Sequence, residues 1–445
     1  VLTRRNLLGI AAGALAGRAL PACEPAGPRT TPRDLVVGAG GWCWFQSPRA
    51  CVDGRDRLWL GSSQGIGAPT PGSVDVTSVD LASLTVVSRR SLATDRVDDH
   101  TSPSVLAVEG QVQVAWAAHR RTDWIEIGTA DGPMQRIGRP ASTIAPGRGI
   151  SYGSAHLVGG ERWLLYRGER FSWNLLTSPD GQRWSARGLV VVPPAGGQRP
   201  YVLAASDGGR LHLLVSDGNP TERRGTSIFS ATIDAAGVIT TGNGRPVGAV
   251  GATAPHVGTL TRVIGGEVGA DEAHDTDAWL VDLRIHRGRP HAILSVRDPR
   301  PPGEGVGVWR HRYLRVHADA RGQWQVEHLA WAGSELYANQ PDYTGLATLD
   351  PTDPDRVVTS SDVHPATGAV LRSNADGQPH HELHEGRRAS DGSWSWTALT
   401  ADSIEDHLRP ILVDRPGHAP VLAWMRGSYR SWRGFATAIV VRTHG

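Results

Sequence analysis

No lysine occurs in this chain of 445 residues; all 46 basic side chains are arginine. That absence excludes lysine Schiff-base chemistry and a P-loop, whose lysine grips nucleoside phosphates. Cysteine is nearly absent, at three. With no Cys-x-x-Cys pair and no His-Glu-x-x-His, neither a zinc finger nor a zincin centre is encoded. Cys43 and Cys51 are left open as a disulfide or as two separate thiols. No stretch keeps an amphipathic helical pattern for three turns. The formal charge is only +2, so nothing calls for nucleic acid or an anionic membrane surface as a partner. Phenylalanine is scarce at four, against sixteen tryptophans. Indoles fill β cores and also stack on sugar rings, and composition alone leaves both readings open.

Residues 1–30 read as an export signal with a short linker. Thr3-Arg4-Arg5-Asn6-Leu7-Leu8 has the twin-arginine pattern, and an apolar run follows to about Ala19, interrupted by Arg18. Val1 is consistent with a non-AUG start codon read literally. Leu20-Pro21-Ala22-Cys23 fits either a lipoprotein box, with Cys23 lipidated, or an ordinary cleavage site. On either reading the protein is expected outside the cytoplasm, as a secreted protein or a cell-surface lipoprotein. A lipid on Cys23 is then its one expected membrane contact.

Residues 31–445 read as short strands and turns. A turn of Gly, Asp, Arg or Pro followed by an apolar strand recurs seven times. The strands begin at Arg57, Val112, Arg162, Leu211, Pro290, Arg356 and Pro420. Repeats of this size predict an all-β fold, a single seven-bladed β-propeller whose first and last blades close the ring. A pair of β-sandwiches would explain the strands but not seven similar hairpins. Ser178-Pro-Asp180-Gly181-Gln-Arg-Trp184 is close to the Asp-box turn of sialidase-like propellers. Ser390–Trp394 and Gly322–Trp324 are fragments of it, with Asp and Gly making the turn and Trp plugging a gap. The stretches 263–277 and 298–307 read as surface insertions.

Two hairpins organise the functional reading. His100 precedes an apolar strand that turns at Glu109-Gly110 and returns to His119. The ends of such a hairpin lie side by side, so the two histidines should meet. The next hairpin starts at Tyr152 and ends at Arg167, which delivers His, His, Tyr and Arg to one rim. His286, His291 and His317 are spread along strands and loops and read as solvated or core histidines rather than a metal cluster.

Asp98-Asp99-His100-Thr101-Ser102-Pro103 resembles the D-D-H-N-[SN]-P motif of a BNR-repeat-containing family, with Thr101 at the asparagine position. Further matches follow in order at Arg199-Pro200-Tyr201 with Ser216–Pro220, at Asp342–Leu346, and at Leu408-Arg409-Pro410 with Trp424–Arg430. The family includes the seven-bladed-propeller lyases that cut ulvan and rhamnose–glucuronate glycans. The resemblance implies a catalytic set of His100, His119, Tyr152 and Arg167. Tyr201, Arg223 and Arg224 are expected substrate contacts. It also implies an anionic polysaccharide or oligosaccharide as substrate and a chemistry that needs no cofactor. A structural calcium or other divalent ion is allowed, with no ligand set apparent. A monomer is favoured.

The implied reaction is β-elimination at a uronate. A base removes the C5 proton, the C4–oxygen bond breaks, and the leaving oxygen is protonated. Arg167 can neutralise the carboxylate with a two-pronged grip. His100 suits the base and Tyr152 the acid, or the two exchange these parts. His119 can share the neutralisation. Two other classes stay open: a sialidase-like glycoside hydrolase and a non-catalytic carbohydrate-binding propeller.

Overall fold

Each of the seven turn–strand units forms the second strand of an antiparallel blade. The computed structural model describes residues 33–138, 149–194, 198–222, 225–265, 277–297, 311–338 and 340–443. These residues form an all-β, seven-bladed propeller, with only one-turn 3-10 helices besides the strands. The expected export segment lies outside the described residues. So do Arg223, Arg224, residues 266–276 of the first expected insertion and all of the second (298–307).

Six blades run from the axis outward in chain order. In the first, Ala50–Val52 is innermost, followed by Arg57–Ser63, Ser73–Asp80 and Thr85–Thr94. The fourth blade departs from four strands. Its third strand, Ile228–Asp234, pairs with both Val238–Thr240 and Thr261–Ile264, so the outer position is split between two short segments.

The seventh blade closes the ring. Asp406–Val413 is innermost, Val421–Tyr429 and Phe435–Thr443 follow, and the N-terminal strand Arg33–Ala39 adds the outer edge. Strand edges left open are templates for mispairing, and this exchange covers one while joining the two ends of the chain. Arg442 fixes the joint with a two-pronged grip on Asp34, at 2.6 and 2.8 Å. Arg415 grips Asp56 in the same way across to the first blade, at 2.7 and 2.6 Å.

The Asp-box turns join third to outermost strands. Asp180 Oδ1 accepts from the backbone N–H groups of Gln182 and Arg183, both at 2.8 Å. Asp391 and Asp319 hold the corresponding turns of the sixth and fifth blades. Trp324, opening the fifth blade's outer strand, donates to Ser230 Oγ of the fourth blade at 2.9 Å. The aromatic therefore bridges neighbouring blades, as the motif implies.

Between blades, Leu58, Leu60, Leu164, Leu214, Leu294 and Leu422 lose all contact with solvent. Each such burial contributes about 1.5–3 kcal/mol. The segment from Gly40 to Arg49 does something different. It leaves the edge of the seventh blade and runs into the axis, where Trp42, Cys43, Trp44, Phe45 and Gln46 are buried. Trp44 Nε1 donates to Leu280 O at 3.0 Å, and its ring meets those of Trp279 and Tyr343 at 5.6 and 5.1 Å. This aromatic plug fills the channel under the candidate site. Cys43 lies in it as a free thiol, and Cys51, in the first blade's innermost strand, is also free. Of the two readings left open, the separate thiols are the ones observed.

Candidate active site

The second and third blades supply the expected rim. In the second, Ser104–Val108 pairs with Gln111–Trp116, and Ser104 faces Ala115. Glu109 and Gly110 take φ values of 50° and 78°, the left-handed pair that a tight two-residue turn requires. His100 sits just before the first strand, in the single helical turn Asp99–Thr101, and His119 just after the second. In the third blade Ser151 faces Arg167 across the hairpin. The pairing register shifts between Ser151 and Ser154, and Tyr152 has φ 58°. A bulge with a left-handed tyrosine is strained backbone, and here it aims the phenol at the axis.

His100, His119, Tyr152 and Arg167 all line one cavity of about 440 Å³, together with Tyr201. The two imidazoles stack at 4.1 Å, 16° from parallel. Tyr152 lies 5.6 Å from His100 and 6.1 Å from His119, ring to ring. The Arg167 guanidinium sits 4.6 Å from the Tyr152 ring and 5.2 Å from that of Tyr201. Arg167 is buried, and its Nη1 has no hydrogen-bond acceptor.

Both histidines are anchored through Nδ1, which leaves each Nε2 on the cavity side. Asp98 Oδ1 lies 2.9 Å from His100 Nδ1, and Asp98 Oδ2 lies 3.1 Å from His119 Nδ1. Asp98 also caps the helical turn by accepting from His100 N–H at 3.1 Å. Asp99 Oδ1 stands 2.8 Å from the same His100 Nδ1. Its other oxygen accepts from Arg409 Nη1 and Tyr429 Oη, both at 2.6 Å.

This arrangement splits the charge states of the pair. Burial opposes a charge on His100, but negative charge at Cys43 and the Asp99 and Asp98 carboxylates outweigh it and hold the ring well above the ordinary histidine value. Burial and the adjacent His100 charge push His119 down to about 3, helped by Arg167 and resisted by Asp98. Near neutral pH His100 is an imidazolium and His119 a neutral imidazole. Burial also drives Tyr152 well above the usual phenol range, although Arg167 pulls the other way, so it carries its proton. Burial opposes ionisation of Tyr201 too, but Arg167 and Arg199 outweigh it and hold that phenol below its ordinary value.

Several contributors were not assigned from sequence. Gln46 Nε2 of the axial plug donates to His100 O at 2.5 Å, and Asp99 O accepts from Cys43 N–H at 3.2 Å. Trp432, from a turn of the seventh blade, places its ring 5.3 Å from His100 and 5.6 Å from His119. Its carbonyl accepts from Asp99 N–H at 3.0 Å. Arginine lines much of the remaining wall: Arg96, Arg120, Arg121, Arg199 and Arg433. Arg199 is paired with Glu222 and Arg121 with Asp95.

The described residues hold two groupings of His, Cys and carboxylate close enough to share an ion: Cys43–Asp99–His100 and Asp98–His100–His119. Calcium takes about six to eight oxygens, and neither set resembles that shell. His286, His291 and His317 approach one another only ring to ring, at 5.2 and 5.5 Å, and are not such a grouping.

No family model and no curated protein matches the chain. Solved structures do. A PL25 ulvan lyase superposes with a TM-score of 0.61 at 10% identity, covering 92% of this chain and 95% of the other. The same kind of lyase, solved bound to -[GlcA(1-4)Rha3S]-, gives 0.60 at 10% identity over the same shares. The polysaccharide lyase Uly1 gives 0.52 at 11% identity, covering 89% of each chain. At such identities the likeness establishes the shared propeller fold.

Proposed function

We propose that this protein is an exported polysaccharide lyase that cleaves uronate-containing glycans of the rhamnose–glucuronate type by β-elimination. One observation carries the reading. Two Nδ1-anchored imidazoles in opposite charge states face a cavity beside a protonated tyrosine and an arginine with an unfilled donor. The fold shared with ulvan lyases, one of them holding a glucuronate–rhamnose glycan, supports the substrate class.

The uronate carboxylate docks on Arg167 and accepts from its free Nη1, with the His100 imidazolium alongside. These cations offset the second negative charge that builds as the C5 proton leaves. His119 takes that proton. Bound carboxylate offsets the His100 and Arg167 charges that help depress His119, so the His119 pKa rises on binding. A C4–C5 double bond forms as the C4–oxygen bond breaks, and the Tyr152 phenol protonates the departing oxygen. Asp98 steadies His119 as it becomes charged. Tyr201 and the surrounding arginines bind the flanking anionic sugars.

Hydrolysis by paired carboxylates fits less well. Among the described residues lining the cavity, Glu222 is the single carboxylate, and Arg199 occupies it. Two free carboxyl groups flanking the scissile bond are the usual requirement. The test is incubation with a rhamnose–glucuronate glycan while ultraviolet absorbance is recorded. Elimination yields a conjugated, absorbing uronate end. New reducing ends without absorbance would mean hydrolysis, and binding without either product would leave a lectin-like propeller.

A further inference from the structure

The ring holds a second cavity at the other end of its axis. It measures about 530 Å³ and lies among the C-terminal halves of the innermost strands, including Ala107, Leu157, Ala205, Leu283 and Leu412. The axial plug connects the two ends. Gln46 touches His100, and Arg49, a few residues on, lines the second cavity.

Arg49 is incompletely satisfied there. Its Nη1 donates to Trp44 O at 2.9 Å, but its Nε is shielded from solvent without any acceptor. Among the described residues no carboxylate forms an ion pair with it. The nearby Asp282 is already engaged. Its Oδ2 accepts from Thr348 Oγ1 and Leu349 N–H, both at 2.9 Å, and from Arg284 Nε at 3.3 Å. Its Oδ1 accepts from Leu283 N–H at 3.0 Å. Arg284 spends Nη2 on Leu412 O at 2.9 Å and Nε on Asp282, and its side chain also lines the cavity. Asp414, the other lining carboxylate, is exposed. Burial without a partner pushes the Arg49 guanidinium down to about 10, with Asp282 resisting and Arg284 assisting. A half-buried arginine with an unsatisfied Nε and no carboxylate of its own, beside Arg284, calls for an anion.

We propose that this axial cavity is a second ligand site, taking a small oxyanion (sulfate, phosphate or a free uronate carboxylate) on the Arg49 guanidinium with Arg284 alongside. It is separate from the glycan pocket and does not depend on whether a glycan is cleaved. Bound anion would complete the hydrogen bonding under the plug and stiffen the floor on which His100 rests.

Crystals of the full chain soaked in selenate, a sulfate analogue with an anomalous signal, locate the site directly. The expected result is an anomalous peak within hydrogen-bond reach of the Arg49 guanidinium. An axial cavity without a peak at saturating selenate overturns the proposal. Calorimetric titrations with sulfate, phosphate and glucuronate, against chloride as control, then identify which oxyanion binds tightest. Arg49→Gln retains a donor for Trp44 O but loses the charge, and affinity at this site should fall on the order of 10- to 100-fold. Anion bound at Arg167 persists in that variant as the residual site. Unchanged affinity of the axial site in Arg49→Gln also overturns the proposal. If Arg49→Gln does not fold, the wild-type selenate map decides by itself.

Discussion

His100 and His119 stack 4.1 Å apart and share one carboxylate, each Nδ1 resting on a different oxygen of Asp98. A single buried anion thus orients the whole pair. Asp98→Asn keeps the shape but can neither hold the imidazolium nor fix both tautomers. Turnover should fall about 100- to 10,000-fold, the range for losing positioned acid–base catalysis. Circular dichroism should still show a folded propeller. A variant that keeps near-wild-type turnover would remove the paired histidines from the mechanism.

Arg167 and Tyr152 can be separated by conservative changes. Arg167→Lys retains the charge but offers a point donor in place of a planar fork. Losing one well-placed donor to developing charge costs about 100- to 1,000-fold in rate. Tyr152→Phe removes only the hydroxyl, so glycan affinity should persist while turnover collapses. Asp180→Ala, in an Asp-box turn remote from the cavity, serves as the contrast: a lower melting temperature with the rate per folded molecule unchanged. Steady-state kinetics with a binding titration checks all three.

The ring joint should be essential to folding. The strand Arg33–Ala39 is the outer edge of the last blade, and Arg442 grips Asp34 there. Removing residues 33–39 exposes the edge of Phe435–Thr443, a ready template for pairing with another chain. The expected outcome in size-exclusion chromatography is aggregate or oligomer in place of a single sharp species. A monomeric, cooperatively melting product would show that closure rests on other contacts.

Acid should destabilise the protein well before carboxylates titrate. Burial pushes His156 down to about 3 and His311 to about 4. The folded state keeps these rings neutral, whereas the unfolded chain protonates them below about pH 6.5. The unfolded state therefore binds more protons between pH 6.5 and the folded values. Stability is fully present above pH 6.5 and is lost as pH falls through that window. Each such ring contributes about 1.4 kcal/mol per pH unit to the slope. Chemical denaturation between pH 7 and 4.5 should show this loss, and His156→Gln should reduce it by about that much.

The blades were readable because each second strand pairs a turn signal with a short apolar run, as at Arg162–Tyr166. The meeting of His100 with His119, and of Tyr152 with Arg167, followed from hairpin geometry alone. Charge states were not readable. They depend on Asp99, whose neutralising partner Arg409 lies 310 positions away in the chain. Two adjacent carboxylates before a histidine do not reveal that both will converge on its Nδ1. The axial plug was also hidden, since Gly41-Trp-Cys-Trp-Phe-Gln46 has no strand or helix period. Trp432, in the turn between the last two strands of the seventh blade, reaches across the ring closure to histidines that flank the second blade's first hairpin, an approach that sequence order does not display. The split outer strand of the fourth blade left no turn signal distinct from an ordinary loop.

The central claim is that the glycan is cut without water. Cleavage in heavy-oxygen water, followed by mass spectrometry of the fragments, tests this most directly. Elimination predicts that no heavy oxygen enters either fragment during cleavage, corrected for exchange at reducing ends. It also predicts that the new non-reducing end is lighter than a hydrolytic one by a water. Stoichiometric heavy oxygen at the cleaved bond, with a saturated uronate end, would contradict the account.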